Sequence, residues 1–222
     1  MKTRVFILCA GVDKIAGDIR KELLKISGEE IIRRTIRLFK TYEPNCEIFI
    51  VTHHEEIKSN VKELKDDKLF FINPAQRRYP LETMLSTQEE WVEKNIILHG
   101  DVIFSSDAVK KMVSVENKFC FFGRRKRAKY TKRKAHEVYG MLIPLYKKEQ
   151  VIRDSLQAID QSSGKIKGRI KRLANFMTGR KINSKKMKRK FVVNINDATD
   201  DIDNMKNYKR YNRDIVDAGL LT

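Results

Sequence analysis

The sequence predicts an α/β fold, a three-layer α/β/α sandwich built around a mainly parallel, mixed sheet. Two observations support this prediction. Apolar runs typical of buried strands alternate with amphipathic helical segments along the first half of the chain. The connections between these segments are short, which implies parallel strands with helices on both faces of the sheet. Sheets of this kind bind ligands outside the carboxyl ends of their strands, so functional residues are expected there.

Each element has a local basis. The continuous apolar run at 3–9 is typical of a strand that is covered on both faces. The segment 27–30 is predicted to cap a helix that places Ile32, Ile36 and Phe39 on one face. Further strands are predicted at 47–51, 69–72, 96–98, 119–123, 137–144 and 191–193. Further helices are predicted at 55–65, 81–94, 147–160, 166–178 and 204–213.

Length and composition limit the class of protein. The chain has 222 residues, of which 41% are hydrophobic, enough for one core. We therefore predict a single domain, residues 1–222, with a basic, less regular insertion or flap at about 124–190. No apolar run approaches the roughly 20 residues of a membrane span, and no cleavage site follows the first run. We expect a cytoplasmic protein whose three isolated cysteines are buried thiols.

The charge is strongly positive and unevenly distributed. Lysines and arginines outnumber acids by 18, and basic residues dominate the stretch 124–134. Between Asp160 and Asp197 there is no acid at all, while lysines and arginines accumulate. Such a field attracts nucleotides, phosphorylated substrates, anionic polymers, nucleic acid or membrane surfaces. A solvated basic face explains the same pattern, and charge alone does not decide between these interpretations.

Two strand ends carry the residues that indicate a chemistry. The first strand runs into Gly11 and a polar loop, and Lys21 stands at the far end of that loop. Exposed backbone N–H groups in such a loop can hold phosphates, which a lysine then neutralises. The apolar strand 96–98 is followed by Gly100 and Asp101, and the carboxylate of Asp101 could bind magnesium. Together these residues predict chemistry on a nucleoside triphosphate.

The order of these segments resembles the sugar-nucleotidyltransferase family, whose fold is a GT-A-like α/β sandwich. The family opens with Leu-Ala-Ala-Gly, and residues 8–11 here read Leu-Cys-Ala-Gly. Its Pro-Lys-x-Leu-Leu-x-Ile segment corresponds to 20–26, and its Gly-Lys-Pro-Leu-Ile segment corresponds to 28–32. Its Gly-Asp after the central strand matches 100–101, and its late acidic motif is echoed at 203–208.

The resemblance implies roles for particular residues. It makes Lys21 and Asp101 catalytic residues and places Thr83 beside the base or ribose. It also implies a nucleotide-binding set: Leu8, Ala10, Gly11, Lys14, Lys21, Thr83 and Gly100. Asp101 and Asp203 would hold Mg²⁺. From the residues alone, Asp197, Asp200 and Asp201 are equally possible second ligands.

The chain also departs from the family pattern in the first loop. The family carries Gly-x-Gly-x-Arg there, whereas this chain has Gly11-Val12-Asp13-Lys14-Ile15. The arginine that would grip the triphosphate is absent, and Lys14 or Arg20 is a candidate substitute. Arg20 also replaces the proline that precedes the family's lysine.

We therefore predict a magnesium-dependent nucleotidyltransferase. It would join a nucleoside triphosphate to an anionic phosphorylated acceptor, a sugar, alditol or choline-like compound, and release pyrophosphate. One alternative is an impaired member of the family that binds nucleic acid or another polyanion through the stretches 124–134 and 164–190. Another is a GT-A glycosyltransferase, but the Asp-x-Asp motif that such enzymes normally need is missing at 101–103.

Overall fold

A seven-stranded sheet forms the centre of the molecule in the computed structural model, which describes residues 1–11, 14–15, 19–76, 78–128, 130, 136–164, 167–184 and 188–221. Its strands, numbered in chain order, are β1 (Thr3–Leu8), β2 (Glu47–Val51), β3 (Leu69–Ile72), β4 (Lys94–His99), β5 (Cys120–Arg124), β6 (Glu137–Pro144) and β7 (Val192–Asn194). They lie in the order β7-β5-β6-β4-β1-β2-β3, and among the seven only β6 runs antiparallel to its neighbours. The predicted mainly parallel, mixed sheet is confirmed.

Helices cover both faces of the sheet. They are α1 (Ile31–Tyr42), α2 (Glu55–Lys62), α3 (Pro80–Leu85), α4 (Ser106–Val113), α5 (Lys148–Asp160), α6 (Ile170–Met177) and α7 (Met205–Tyr211). Val5 and Ile7 of β1 pack with α1, α2 and α4 on one face, whereas Phe6 and Leu8 pack with α3, α5 and α6 on the other. This alternation explains the continuous apolar run of β1 and confirms the three-layer sandwich. No helix in the described ranges has the length and apolar character to span a bilayer.

A third, smaller cluster joins the two ends of the chain. Leu24, Ile26 and Ile31 pack against Ile202 and Tyr211, so α7 lies against the segment that precedes α1. Lys14–Ile15 pairs with Ile19–Arg20 in the segment that precedes this cluster. Two further pairs of two-residue strands carry residues of the cluster: Lys25–Ile26 with Glu29–Glu30, and Val102–Ile103 with Asp200–Asp201. The last of these pairs brings an acidic segment near the C-terminus next to the end of β4.

Two helix predictions were wrong in detail. Ser27 and Gly28 have φ angles of +53° and +83° and form the turn of a hairpin, so α1 begins only at Ile31. The predicted helix 81–94 ends at Leu85 and continues only as a 3₁₀ turn at Gln88–Glu90. There the Thr87 hydroxyl donates to the Met84 carbonyl and accepts a hydrogen bond from the Trp91 indole. These side-chain bonds compete with helical ones and end the helix.

One helix was missed altogether. α4 follows Ser105, whose hydroxyl accepts a hydrogen bond from the backbone N–H of Ala108, as an N-cap does. The serines before an apolar and basic segment were the available signal. The helix predicted at 166–178 begins later, at Ile170, after Gly168 with a φ angle of +61°. The three cysteines are buried and free, as predicted.

Candidate active site

A cavity of about 480 Å³ lies at the carboxyl ends of β1 and β4. The loop after β1, the end of β4, the beginning of α3 and the connection between α5 and α6 form its walls. Its lining residues are Leu8, Ala10, Gly11, Lys21, Glu22, Arg78, Tyr79, Pro80, Thr83, His99, Asp101, Gly164, Lys167 and Arg169. The cavity therefore stands at the edge of the sheet where the sequence predicts ligand binding.

Six of the residues singled out from the sequence line this cavity together. They are Leu8, Ala10, Gly11, Lys21, Thr83 and Asp101. Gly100, Lys14 and Asp203 are not part of its lining. Lys14 is exposed on a short strand within the segment that connects Gly11 to Lys21. Asp13, in the same segment, lies outside the described residues. The roles of all these residues remain predictions, but their common location is a property of the fold.

Lys21 and Asp101 form the charged centre of the cavity. Lys21 begins a 3₁₀ turn, Lys21–Leu23, and is only 7% exposed. Its Nζ lies 3.6 Å from Asp101 Oδ2. The Asp101 side chain is 31% exposed, so it keeps access to the cavity. Residues 80 positions apart thus place an ammonium group and a carboxylate side by side at the ends of neighbouring strands.

Gly100 is required for packing at the end of β4. Its N–H donates to the Leu8 carbonyl at 3.0 Å, which ties the end of β4 to the end of β1. A Cβ atom at Gly100 would lie 2.4 Å from Cys9 Sγ and 2.9 Å from the Leu8 carbonyl oxygen. Any side chain would therefore push these strand ends apart. At Gly11 a Cβ atom would meet no atom of the described residues within 4 Å.

Backbone hydrogen bonds join the two segments that carry the predicted metal ligands Asp101 and Asp203. The strands Val102–Ile103 and Asp200–Asp201 are antiparallel partners, and the Ile202 N–H continues the ladder with a 3.2 Å bond to the Asp101 carbonyl. Asp203 follows directly and is exposed. No cluster of three or more His, Cys, Asp or Glu residues within the described ranges is arranged to hold a metal. A Mg²⁺ site does not require such a cluster, because this ion retains waters and takes other ligands from substrate phosphates.

Three basic residues of the cavity were not predicted individually. Arg78 and Lys167 lie on the ring of Tyr79, at 5.3 and 5.7 Å from its centroid, and Arg169 stands nearby in the lining. Gly168 makes this arrangement possible, because a Cβ atom there would lie 2.3 Å from Tyr79 Cβ. The Gly168 carbonyl accepts from the Leu81 N–H at 2.9 Å, which docks the connection between α5 and α6 on α3. The basic stretch from 164 onward was the sequence signal for Lys167 and Arg169, and Arg78 lies outside it.

Burial changes the acid–base properties of two lining residues. Burial raises the pKa of Glu22 to about 7, and the negative charge of Asp101 adds to the effect. Burial also lowers the pKa of His99, with the positive charge of Arg169 acting in the same direction and Asp101 opposing it. At neutral pH the His99 ring is therefore held in its uncharged form.

The raised pKa of Glu22 predicts a pH-dependent stability. Since the folded state disfavours the ionised carboxylate, stability is lost as pH rises from about 4.5 to 7. Glu22→Gln removes this penalty, so the variant should be more stable than the unmodified protein at pH 8, by up to about 3 kcal/mol. The two proteins should be equally stable near pH 4.5. Urea denaturation at both pH values, with divalent cations chelated, measures the difference. An equal difference at both pH values would contradict the prediction.

Comparisons with known proteins agree with this geometry. No family model and no curated protein sequence matches the chain. Among solved structures, it is similar to 4-diphosphocytidyl-2C-methyl-D-erythritol synthase from Anaerococcus prevotii, with a TM-score of 0.63, 13% identity, and 96% of this chain and 95% of that one covered. It is also similar to CTP:phosphocholine cytidylyltransferase from Streptococcus pneumoniae, with a TM-score of 0.59, 14% identity, and 96% and 99% covered.

The chain is also similar to the inositol-1-phosphate CTP transferase from T. maritima, with a TM-score of 0.57, 13% identity, and 95% of each chain covered. The chain has the nucleotidyltransferase fold. The resemblance inferred from short sequence motifs is thus confirmed at the level of the fold. The similarity covers nearly the whole chain. Within the basic region at about 124–190, residues 129, 131–135, 165–166 and 185–187 lie outside the described residues.

Proposed function

We propose that this protein is a magnesium-dependent nucleotidyltransferase that joins a nucleoside triphosphate to a phosphorylated acceptor and releases pyrophosphate. The observation that carries the proposal is the meeting of Lys21 and Asp101 at 3.6 Å in a cavity that Gly11 and Thr83 also line. The sequence resemblance assigns Gly11, Lys21 and Thr83 to nucleotide binding, and Asp101 to catalysis and metal binding. The names of the similar structures, which act on CTP together with phosphocholine or inositol-1-phosphate, support the same reaction class.

The cavity residues suit an in-line displacement. An oxygen of the acceptor's phosphate attacks the α-phosphorus, and the bond from that phosphorus to the bridging oxygen of pyrophosphate breaks. The Lys21 ammonium group is placed to neutralise the α-phosphate and the leaving pyrophosphate. Asp101 and Asp203 would hold Mg²⁺, which supplies further positive charge for the phosphate oxygens when bound. The protein contributes positioning and charge, which is most of what this reaction requires.

The acceptor belongs on the side of the cavity formed by Arg78, Lys167 and Arg169. These three cations come from the loop before α3 and from the connection between α5 and α6, away from Lys21 in the chain. Two positive groups beside a phosphate offset its charge, and an arginine can bind it through two parallel hydrogen bonds. We therefore propose a phosphorylated sugar, alditol or choline-like acceptor rather than an uncharged one.

Pyrophosphate release tests the proposal directly. The four nucleoside triphosphates are combined with sugar phosphates, alditol phosphates and phosphocholine, each next to its dephosphorylated counterpart, with and without Mg²⁺. At least one phosphorylated acceptor should give metal-dependent release, and its dephosphorylated counterpart should not. Arg169→Gln should raise the acceptor KM at least ~10-fold and leave the triphosphate KM unchanged. Equal turnover with the dephosphorylated acceptor would refute the assignment of the basic side.

No contact among the described residues favours nucleic-acid binding over this reaction. Much of the basic stretch 124–134 lies outside the described residues, and Arg124 at its start is fully buried. The nucleic-acid alternative therefore rests on the sequence alone.

A further inference from the structure

Arg20 lies at the end of the loop that begins at Gly11. It is only 8% exposed and immediately precedes Lys21. Its Nε donates to Glu56 Oε1 at 2.8 Å, and its Nη1 donates to the Gly11 carbonyl at 2.9 Å. One guanidinium group thus connects the last residue of the loop to the first and to helix α2.

The Gly11 carbonyl is also held from a second side. A ring nitrogen of His54, a residue that is 7% exposed, lies 2.9 Å from it. The backbone N–H of His54 in turn donates to the Thr52 hydroxyl, and that hydroxyl donates to the Cys9 carbonyl at 2.9 Å. The beginning of the loop is therefore fixed to the end of β2, and Arg20 fixes the other end of the loop to the same point.

These contacts decide between two roles for Arg20. The sequence left it as a candidate substitute for the arginine that grips the triphosphate. Two of its three guanidinium nitrogens are engaged by Gly11 and Glu56, and Arg20 is not part of the cavity lining. Its neighbour Lys21 does line the cavity and lies near Asp101.

We propose that Arg20 is a positioning residue that closes the loop 11–20 and thereby holds Gly11 and Lys21 at the separation that a triphosphate requires. The inference rests on the proposed function. Gly11 and Lys21 both line the cavity, nine residues separate them in the chain, and the Arg20 side chain adds a direct bond between the two ends of that segment. A bond between the two ends reduces the free energy that ordering this segment would cost when the triphosphate binds. The family carries a proline at this position, and its ring stiffens the backbone. In this chain the Arg20 side-chain bonds take over that restraint.

The test compares Arg20→Met with a matched control, Arg33→Met. Arg33 also hydrogen-bonds to α2, through Asn60, but it lines a separate groove beside α1 and not the candidate active site. Arg20→Met should raise the triphosphate KM and the calorimetric Kd at least ~10-fold, with the acceptor KM within about twofold of the unmodified protein. Arg33→Met should change neither constant, whatever it does to the melting temperature. Glu56→Gln should give a smaller effect than Arg20→Met, because the bond to Gly11 remains.

Amide hydrogen exchange separates failure of the inference from failure of the proposed function. Exchange of the peptide that contains residues 11–21 should be faster in Arg20→Met and unchanged in Arg33→Met. Unchanged exchange, or an unchanged triphosphate affinity, in Arg20→Met would overturn the inference. Equal losses of triphosphate affinity in the Arg20 and Arg33 variants would also overturn it, since they would show a general effect of destabilisation. Absence of triphosphate binding by the unmodified protein would overturn the proposed function instead.

Discussion

Asp101→Asn is expected to lower kcat for pyrophosphate release at least ~100-fold, because it removes the charge that would hold Mg²⁺ against the triphosphate. The side chain is partly exposed at the end of β4, so the fold should tolerate the isosteric change. The melting temperature of the free protein should therefore stay within about 3 °C. Steady-state kinetics and thermal unfolding in the absence of metal measure the two quantities separately.

A control and a binding readout make this prediction specific. Asp107, on α4, has a side chain that is 74% exposed and 3.8 Å from Lys110, so Asp107→Asn should retain full activity. Mg²⁺ together with a non-hydrolysable triphosphate should raise the melting temperature of the unmodified protein but not that of Asp101→Asn. Asp203→Asn should act in the same direction as Asp101→Asn. Normal turnover in Asp101→Asn would remove Asp101 from the reaction.

The fold was predictable where burial follows a simple pattern. β1 and β2 lie in the sheet interior with helices on both faces, so their sequences read as continuous apolar runs. β4 was predicted at 96–98 but extends from Lys94 to His99, because tertiary contacts bury its polar ends. The Lys94 ammonium group, for example, donates to the Val113 carbonyl at 2.6 Å. Such long-range hydrogen bonds leave no periodic signal in the sequence.

The candidate site was predictable to the extent that strand ends determine it. The carboxyl ends of parallel strands lie at one edge, so Gly11 and Asp101 were expected at the same edge once β1 and β4 were identified. That the two strands are direct neighbours is known only from the structure. The basic side of the cavity depends instead on the packing of Gly168 against Tyr79, far apart in the chain. At Gly100 the motif predicts a nucleotide contact, and the structure adds a packing requirement that the motif did not indicate.

The buried pair of Arg124 and Asp200 predicts the largest effect on stability. Arg124 is fully buried, and its Nη1 donates to the Tyr139 hydroxyl at 2.6 Å and to Asp200 Oδ1 at 3.2 Å. The Tyr139 hydroxyl in turn donates to the Thr199 carbonyl. Asp200→Asn or Arg124→Met removes one member of this buried ion pair, and should lower the free energy of unfolding by roughly 3–5 kcal/mol. Urea denaturation measures the change.

The double variant tests whether the loss of stability comes from the interaction between the two buried charges. Because Arg124→Met combined with Asp200→Asn leaves neither charge buried, it should cost less than the sum of the single changes. Arg213→Met, which breaks an exposed pair with Asp214, should leave the free energy of unfolding unchanged. Asp200 also belongs to the strand that pairs with Val102–Ile103 and leads to Asp203, so the single variants should lose activity together with stability. Strict additivity in the double variant would show that the two charges do not interact, and that the acidic segment is held in place by other contacts.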